Sequence, residues 1–259
     1  MKSFSHGASR SRPLLGTFVE IRIVDGNIEA GFAAIERAHR LMSAHEAQSD
    51  VCRISRAAPG SCLQIDPWTY EVLSRAKELH LATDGLFDCA VAPVLIRSGL
   101  LPCHAPAVPE GSLDDLELLP DGRVRLRRAV GLTLDGIAKG YAVDRAVHAL
   151  RDAGAAAGAV NAGGDLRLFG ERAEPVHVRD PRSPGRFICI GELRNAAVAS
   201  SAGAMVDPRS MTLGCAARGV TVIAEDCARA DALTKPCLVA PARANAIAAR
   251  FSARALVLH

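Results

Sequence analysis

Hydrophobic positions along this chain switch between a period of two and a period near 3.6, and the switches mark out its elements. Residues 16–24 (GTFVEIRIV) alternate and are rich in β-branched side chains, which predicts a strand. Residues 28–46 place Ile28, Phe32, Ile35, Ala38, Leu41 and Met42 at helical spacing. A second amphipathic helix is predicted over 67–82, with Tyr70, Val72, Leu73, Ala76, Leu79 and Leu81 on its buried side. Pro67 suits its first turn, and Gly85 after Asp84 stops it. Residues 101–111 carry three prolines and no periodicity, and read as a loop.

The pattern continues with a hairpin over 116–126, turning at Pro120-Asp121-Gly122. Then come a short strand at 132–134, a helix over 138–153, and strands at 158–160 and 166–169 around a glycine turn. Strands at 187–193 and 219–224, helices over 227–237 and 243–251, and a strand at 255–258 complete the chain. Helices and strands interleave with hairpins, so the fold class is mixed α+β. No internal repeat is visible. Residues 1–12 read as a flexible tail before one domain over 13–259.

Composition narrows the function classes. The chain has 259 residues, 49% apolar and 23% charged, within the range of globular proteins. Its net charge of +3 and 4% aromatic content argue against a nucleic-acid-binding protein. No apolar run approaches the ~20 residues of a transmembrane helix, and no export signal follows the basic start. The eight cysteines have no CxxC pair or metal-finger spacing and read as reduced, mostly buried side chains. A cytoplasmic protein is expected.

Four segments are candidates for chemistry. In Asp135–Asp144 (DGIAKGYAVD), glycine at a strand-to-helix junction admits a ligand to the backbone, and Lys139 opposes the helix dipole. That placement suggests a ligand anion nearby; a plain turn with a solvated lysine is the alternative. Asn161-Ala162-Gly163-Gly164-Asp165 lies between two strands, where a hairpin turn also explains it. Thr83-Asp84-Gly85-Leu86-Phe87-Asp88 is a helix stop followed by an extended run through Pro93. Ala230-Asp231-Ala232-Leu233-Thr234-Lys235 offers a carboxylate and backbone carbonyls of the kind that suit magnesium. Upstream, Asp207-Pro208-Arg209-Ser210 fits a turn with proline second. The histidines at 39, 45, 80 and 148 sit singly, and His6 and His259 lie near the chain ends. No GxxxxGK[ST], GxGxxG at a strand-turn-helix, GxSxG or HExxH occurs.

Taken in order, these segments resemble the FAD:protein FMN transferase (ApbE-like) family. Leu15-Gly16-Thr17 is similar to its opening Met-Gly-Thr. Thr83–Asp88 with Val91 and Pro93 is similar to its TDGxFD…VxP segment. Gly136–Asp144 matches its GIAKGYAVD, and Asn161–Asp165 its NAGGD. Val198–Gly203 resembles its ATSG turn, Asp207–Ser210 the DPxT of HxxDPxTG, and Asp231 the aspartate of ADxxxT.

The resemblance implies mixed sheets flanked by helices, with an FAD cleft between two lobes. It also implies magnesium-dependent transfer of FMN from FAD to a Ser or Thr hydroxyl of an acceptor protein, with release of AMP. Such acceptors are often subunits of membrane redox complexes. By the same resemblance Leu15, Leu86, Phe87, Asp88, Thr133, Gly136, Lys139, Gly163, Gly164 and Val206 contact FAD. Gly136, Ala228, Asp231 and Thr234 surround magnesium, and Lys139, Asp207 and Asp231 are the catalytic candidates. Three departures accompany it: Ala204 stands where the family has histidine, Met211 where it has glycine, and Lys235 where it has threonine. A lysine at 235 either substitutes for part of the magnesium charge or displaces the ion. A flavin carrier or sensor without transfer, and an FAD pyrophosphatase, are the alternatives.

Overall fold

The computed structural model describes residues 7–258; His6, His259 and the first half of the expected tail lie outside the described residues. In chain order the first elements are β1 (Gly7–Leu14), β2 (Thr17–Val24), α1 (Ile28–Met42), α2 (Asp50–Arg56), β3 (Cys62–Gln64), α3 (Pro67–Ala82), α4 (Ala92–Arg97), β4 (Leu116–Leu118) and β5 (Arg123–Leu126). They are followed by α5 (Ala138–Asp152), β6 (Ala157–Ala162), β7 (Asp165–Phe169), β8 (Glu174–Asp180), β9 (Ser183–Leu193), β10 (Ala197–Asp207), β11 (Thr212–Ala224), α6 (Cys227–Val239), α7 (Ala244–Ala249) and β12 (Arg254–Leu258). No helix among the described residues is long and apolar enough to cross a membrane.

The elements form two compact units. Among the described residues, one comprises 7–37, 139–203 and 216–258; the other comprises Ala38–Ala138 and Ala204–Cys215. The first is built on a seven-stranded sheet in the order β1-β2-β6-β7-β10-β11-β12, with β8 and β9 as a separate two-stranded ribbon. The pairs β1/β2, β2/β6, β6/β7, β7/β10 and β11/β12 are antiparallel. The mixture of α and β therefore lies in the elements and not in strand direction. In β2 the alternation works as read: Val19, Ile21 and Ile23 are buried and Phe18 and Glu20 exposed. Burying each such branched side chain contributes about 1.5–3 kcal/mol. On the opposite face of the sheet, Ala159, Leu168 and Val198 pack with Val176 and Val178 of the ribbon.

The second unit holds α2, α3 and α4 and the three-stranded sheet β3-β5-β4. Helix α3 starts and stops where predicted. Asp66 caps it by accepting the Trp68 N–H, Pro67 fills its first turn, and Thr83 closes it with its N–H on the Leu79 carbonyl.

Several expectations are corrected. The tail expected over 1–12 is, from Gly7 on, strand β1, whose residues alternate poorly because the strand is exposed at the sheet edge. Residues 132–134 are buried but form no strand. The helix expected over 28–46 ends at Met42, and Pro93, expected in an extended run, lies in the first turn of α4. Leu81, assigned to the buried side of α3, is exposed. All eight cysteines are free, but only Cys52, Cys89, Cys227 and Cys237 are buried.

Candidate functional site

Helices α5 and α6 cap each other. The first N–H groups of a helix have no partner within it. In α6, Cys227 and Ala228 donate theirs to Asp144 Oδ1 and Oδ2 of α5, at 2.9 and 2.8 Å. Asp226, the N-cap, accepts the Arg229 N–H at 2.8 Å. In α5, Gly140 donates its N–H to Asp231 Oδ2 of α6 at 3.1 Å. The reciprocal fit depends on Gly140 lacking a side chain, because a Cβ there would run into the Cys227 carbonyl.

The other oxygen of Asp231 faces a lysine. Four residues along α6 place Lys235 over Asp231, with Nζ 2.9 Å from Oδ1. The same ammonium donates to Ser201 Oγ of β10 and to Thr234 Oγ1, each at 3.0 Å. Those two hydroxyl oxygens lie 2.8 Å apart, and Thr234 also donates to the Asp231 carbonyl at 2.7 Å.

Lys139, in the first turn of α5, forms an ion pair with Asp165. A carboxylate of the protein therefore already stands beside this ammonium. Asp165 opens β7 directly after a turn at Gly163 and Gly164, whose φ values of 62° and 107° require glycine. Asn161 Oδ1 accepts the Gly164 N–H at 2.9 Å. A Cβ on Gly163 would lie 2.5 Å from Thr17 Oγ1, and Gly163 donates its N–H to the Phe18 carbonyl. The Leu15-Gly16-Thr17 turn is thus brought against the Asn161–Asp165 turn, with Leu15 itself at φ 56°.

The carboxylates are buried, at 2% for Asp165 and 1% for Asp231, while Lys139 and Lys235 are 30% and 28% exposed. Burial raises the Asp231 pKa, but Lys235, then Lys139 and the Gly140 N–H, override it and hold the carboxyl below its ordinary value. Burial and then the Asp231 charge push Asp165 up to about 6, against the pull of Lys139. Burial disfavours the Lys139 ammonium, yet Asp231 and Asp165 outweigh it and raise its pKa. Asp144 is pushed up to about 6 by burial, against its two backbone N–H donors. The result is a pair of anchored cations over a pair of buried anions, beside the exposed glycines of the β6–β7 turn.

Within the other unit, Arg209 joins the turn after β10 to the turn after α3 by donating to the Asp84 carbonyl at 2.9 Å. Asp207 caps its own turn through the Arg209 N–H, as expected of Asp-Pro-Arg-Ser. Val206, Leu86 and Phe87 are buried. Asp88 Oδ2 lies 3.3 Å from His80 Nδ1. Thr133 donates its N–H to the Cys89 carbonyl and accepts the Asp135 N–H, and Gly136 sits in the turn before α5. Sequence reasoning missed Asp144 as a cap, Asp165 as the partner of Lys139, and Ser201. Only the i, i+4 spacing of Asp231 and Lys235 carried a signal for such pairing.

The two side chains assigned to magnesium, Asp231 and Thr234, have their oxygens engaged within the protein. Magnesium requires an octahedral shell of oxygens. Asp231 uses one oxygen on Lys235 and the other on Gly140, and Thr234 is bonded to Lys235 and to the Asp231 carbonyl. Among the described residues, no group of three or more His, Cys, Asp or Glu side chains is placed to hold a metal.

Known proteins share this arrangement of elements. Residues 15–257 match the ApbE family. An FAD:protein FMN transferase of Rhodobacter capsulatus is 30% identical over 142 residues, covering 48% of this chain and 27% of that protein. An FAD:protein FMN transferase of Klebsiella pneumoniae (strain 342) is 27% identical over 152 residues, covering 54% and 48% respectively. The match thus spans about a quarter and about half of these relatives' lengths. The crystal structure of the apo form of the Pseudomonas stutzeri flavinyl transferase ApbE has the same fold, with a TM-score of 0.84 at 23% identity over 97% of this chain and 90% of that one. With the family match running over nearly its whole length, the chain belongs to the ApbE family.

Proposed function

We propose that this chain binds FAD and transfers its FMN half to a Ser or Thr hydroxyl of an acceptor protein. The observation that carries this reading is the pair of ammoniums, Lys139 and Lys235, held on buried carboxylates beside the glycine turn at 163–164. A diphosphate needs cations and close backbone approach, and this part of the chain offers both. The names of the R. capsulatus and K. pneumoniae relatives point to the same activity.

In the reaction, the hydroxyl oxygen of the acceptor attacks the phosphorus of the FMN half. The bond from that phosphorus to the bridging oxygen breaks, AMP leaves with the bridging oxygen, and the hydroxyl loses its proton. Charge grows on the phosphate oxygens and on the leaving group, where fixed cations act without reorganising. Lys139 and Lys235 supply those cations. Asp231 serves to anchor Lys235 and the N-terminus of α5; its lowered pKa and two filled oxygens suit it poorly as a base. Asp207 keeps only the standing of a candidate for accepting the proton. Leu15, Leu86, Phe87, Asp88, Thr133, Gly136, Gly163, Gly164 and Val206 keep their assignment to FAD as proposals, and magnesium has no step in this reading.

Incubating the chain with FAD and a candidate acceptor, with and without magnesium, tests it. The expected result is an acceptor heavier by one FMN and an equal amount of AMP. No mass gain on an acceptor that the K. pneumoniae relative labels in parallel would overturn transfer. Ala204, at the family's histidine position, favours a second reading, a flavin-binding protein without transfer. Co-purified flavin with no AMP release marks that case.

A further inference from the structure

We propose that the ammonium of Lys235 is a built-in replacement for a divalent cation, so that this site meets the phosphates of a flavin dinucleotide without a metal ion. The second half of the statement rests on the flavin reading above; the first half does not.

Three oxygens, Asp231 Oδ1, Ser201 Oγ and Thr234 Oγ1, converge within 2.9–3.0 Å of one point, and Lys235 Nζ occupies that point. One is a carboxylate and two are hydroxyls, a set of hard donors of the kind that a small divalent cation takes. An ammonium has three N–H donors and no acceptor, so three oxygens satisfy it completely. The helix itself delivers the charge. Asp231 and Lys235 are one turn apart on α6, and Thr234 and Ser201 close the remaining sides.

Charge balance separates a lysine site from a metal site. Asp165 and Asp231 contribute two negative charges, and Lys139 and Lys235 two positive ones, so the cluster is neutral as it stands. A divalent ion added beside Asp231 would meet two ammoniums and would have to expel one. With Lys235 removed, the same oxygens surround a gap in a cluster carrying one net negative charge. A phosphate approaching the intact cluster meets Lys235 as a fixed point charge, which is how lysine ordinarily engages phosphate. The Lys235 side chain is 28% exposed against 1% for Asp231, so solvent reaches the lysine and not the carboxylate beneath it.

Mn²⁺ titration of the whole chain, followed by the loss of the free-ion paramagnetic signal, tests the lysine's role without any flavin. The wild type is expected to show no Mn²⁺ binding that Asp231→Asn abolishes. Lys235→Ala and Lys235→Thr are expected to gain one Mn²⁺ each, and to melt at a higher temperature with Mn²⁺ than without. A single Mn²⁺ bound by the wild type, lost in Asp231→Asn, overturns the proposal even if neither Lys235 variant folds. In a second arm, FAD affinity is measured in chelator and in magnesium. A change of less than about twofold in the wild type is expected, and a tightening of about tenfold by magnesium overturns the proposal. Failure to bind FAD under both conditions counts against the flavin reading, while the Mn²⁺ titration still decides the role of Lys235.

Discussion

Lys139, in the first turn of α5, and Asp165, the first residue of β7, form an ion pair that ties the helix to the β6–β7 turn. Asp165 is almost wholly buried, and Asp231 adds a second negative charge to its surroundings. Breaking a buried pair from one side leaves an uncompensated charge, at a cost of about 3–5 kcal/mol. Lys139→Met is therefore expected to destabilise by that order in urea denaturation. Lys139→Met combined with Asp165→Leu should cost clearly less than the two single changes added together. Additive costs would show that the pair is not coupled.

Asp144→Asn should unfasten the start of α6. The amide retains one acceptor oxygen and turns an NH₂ toward the N–H of either Cys227 or Ala228, for a loss of about 1–3 kcal/mol. Amide hydrogen exchange should speed up at Cys227 and Ala228 before it does elsewhere in α6. Unchanged protection at both amides would contradict the reciprocal capping.

A helical glycine replaced by alanine ordinarily gains about 1 kcal/mol. At Gly140 the sign should reverse. The new Cβ meets the backbone carbonyl of Cys227, which cannot swing away as a side chain can. Gly140→Ala is expected to lose about 1–3 kcal/mol, with α6 displaced from α5. A thermally stabilised variant would refute the close approach.

His80 gives the second unit a pH dependence. Its hydrogen bond to Asp88 raises the imidazole pKa above the ordinary value, with burial opposing and the Phe87 carbonyl assisting. Because the folded value lies above the unfolded one, this stabilisation is complete below about pH 6.5 and is lost as pH rises through the folded pKa. An NMR titration of His80 should show the raised value in the wild type and a lower one in Asp88→Asn. Identical titrations would dismiss the pair.

The parts of the fold legible in the sequence were those whose causes are local. Helix α3 carries its start and stop signals within a few residues, at Pro67 and at Asp84-Gly85. The turn at Gly163 and Gly164 is written in its glycines. Strand β1 was hidden because an exposed edge strand needs no apolar alternation, only a partner to bond, and helix α2 is short, with its Ser49 cap the main local cue. The site divides the same way. Lys139, Asp231 and Lys235 stand out as residues, but the partners of Lys139 and of the α6 N-terminus are 26 and 83 residues away along the chain. No local pattern encodes such meetings, which arise only when sheet and helices pack.

Strand β2 ends at Val24 and its neighbour β6 begins at Ala157, while nearly all of the second unit is threaded between them. During vectorial synthesis the interposed segment leaves the ribosome first, and the half-made sheet must wait with β2 unpartnered on one side. Pairing over so long an interval is slow. A truncation between Asp152 and Ala157 should consequently yield a chain prone to precipitate, since the β1–β2 hairpin is left with an open flank that only later residues can cover.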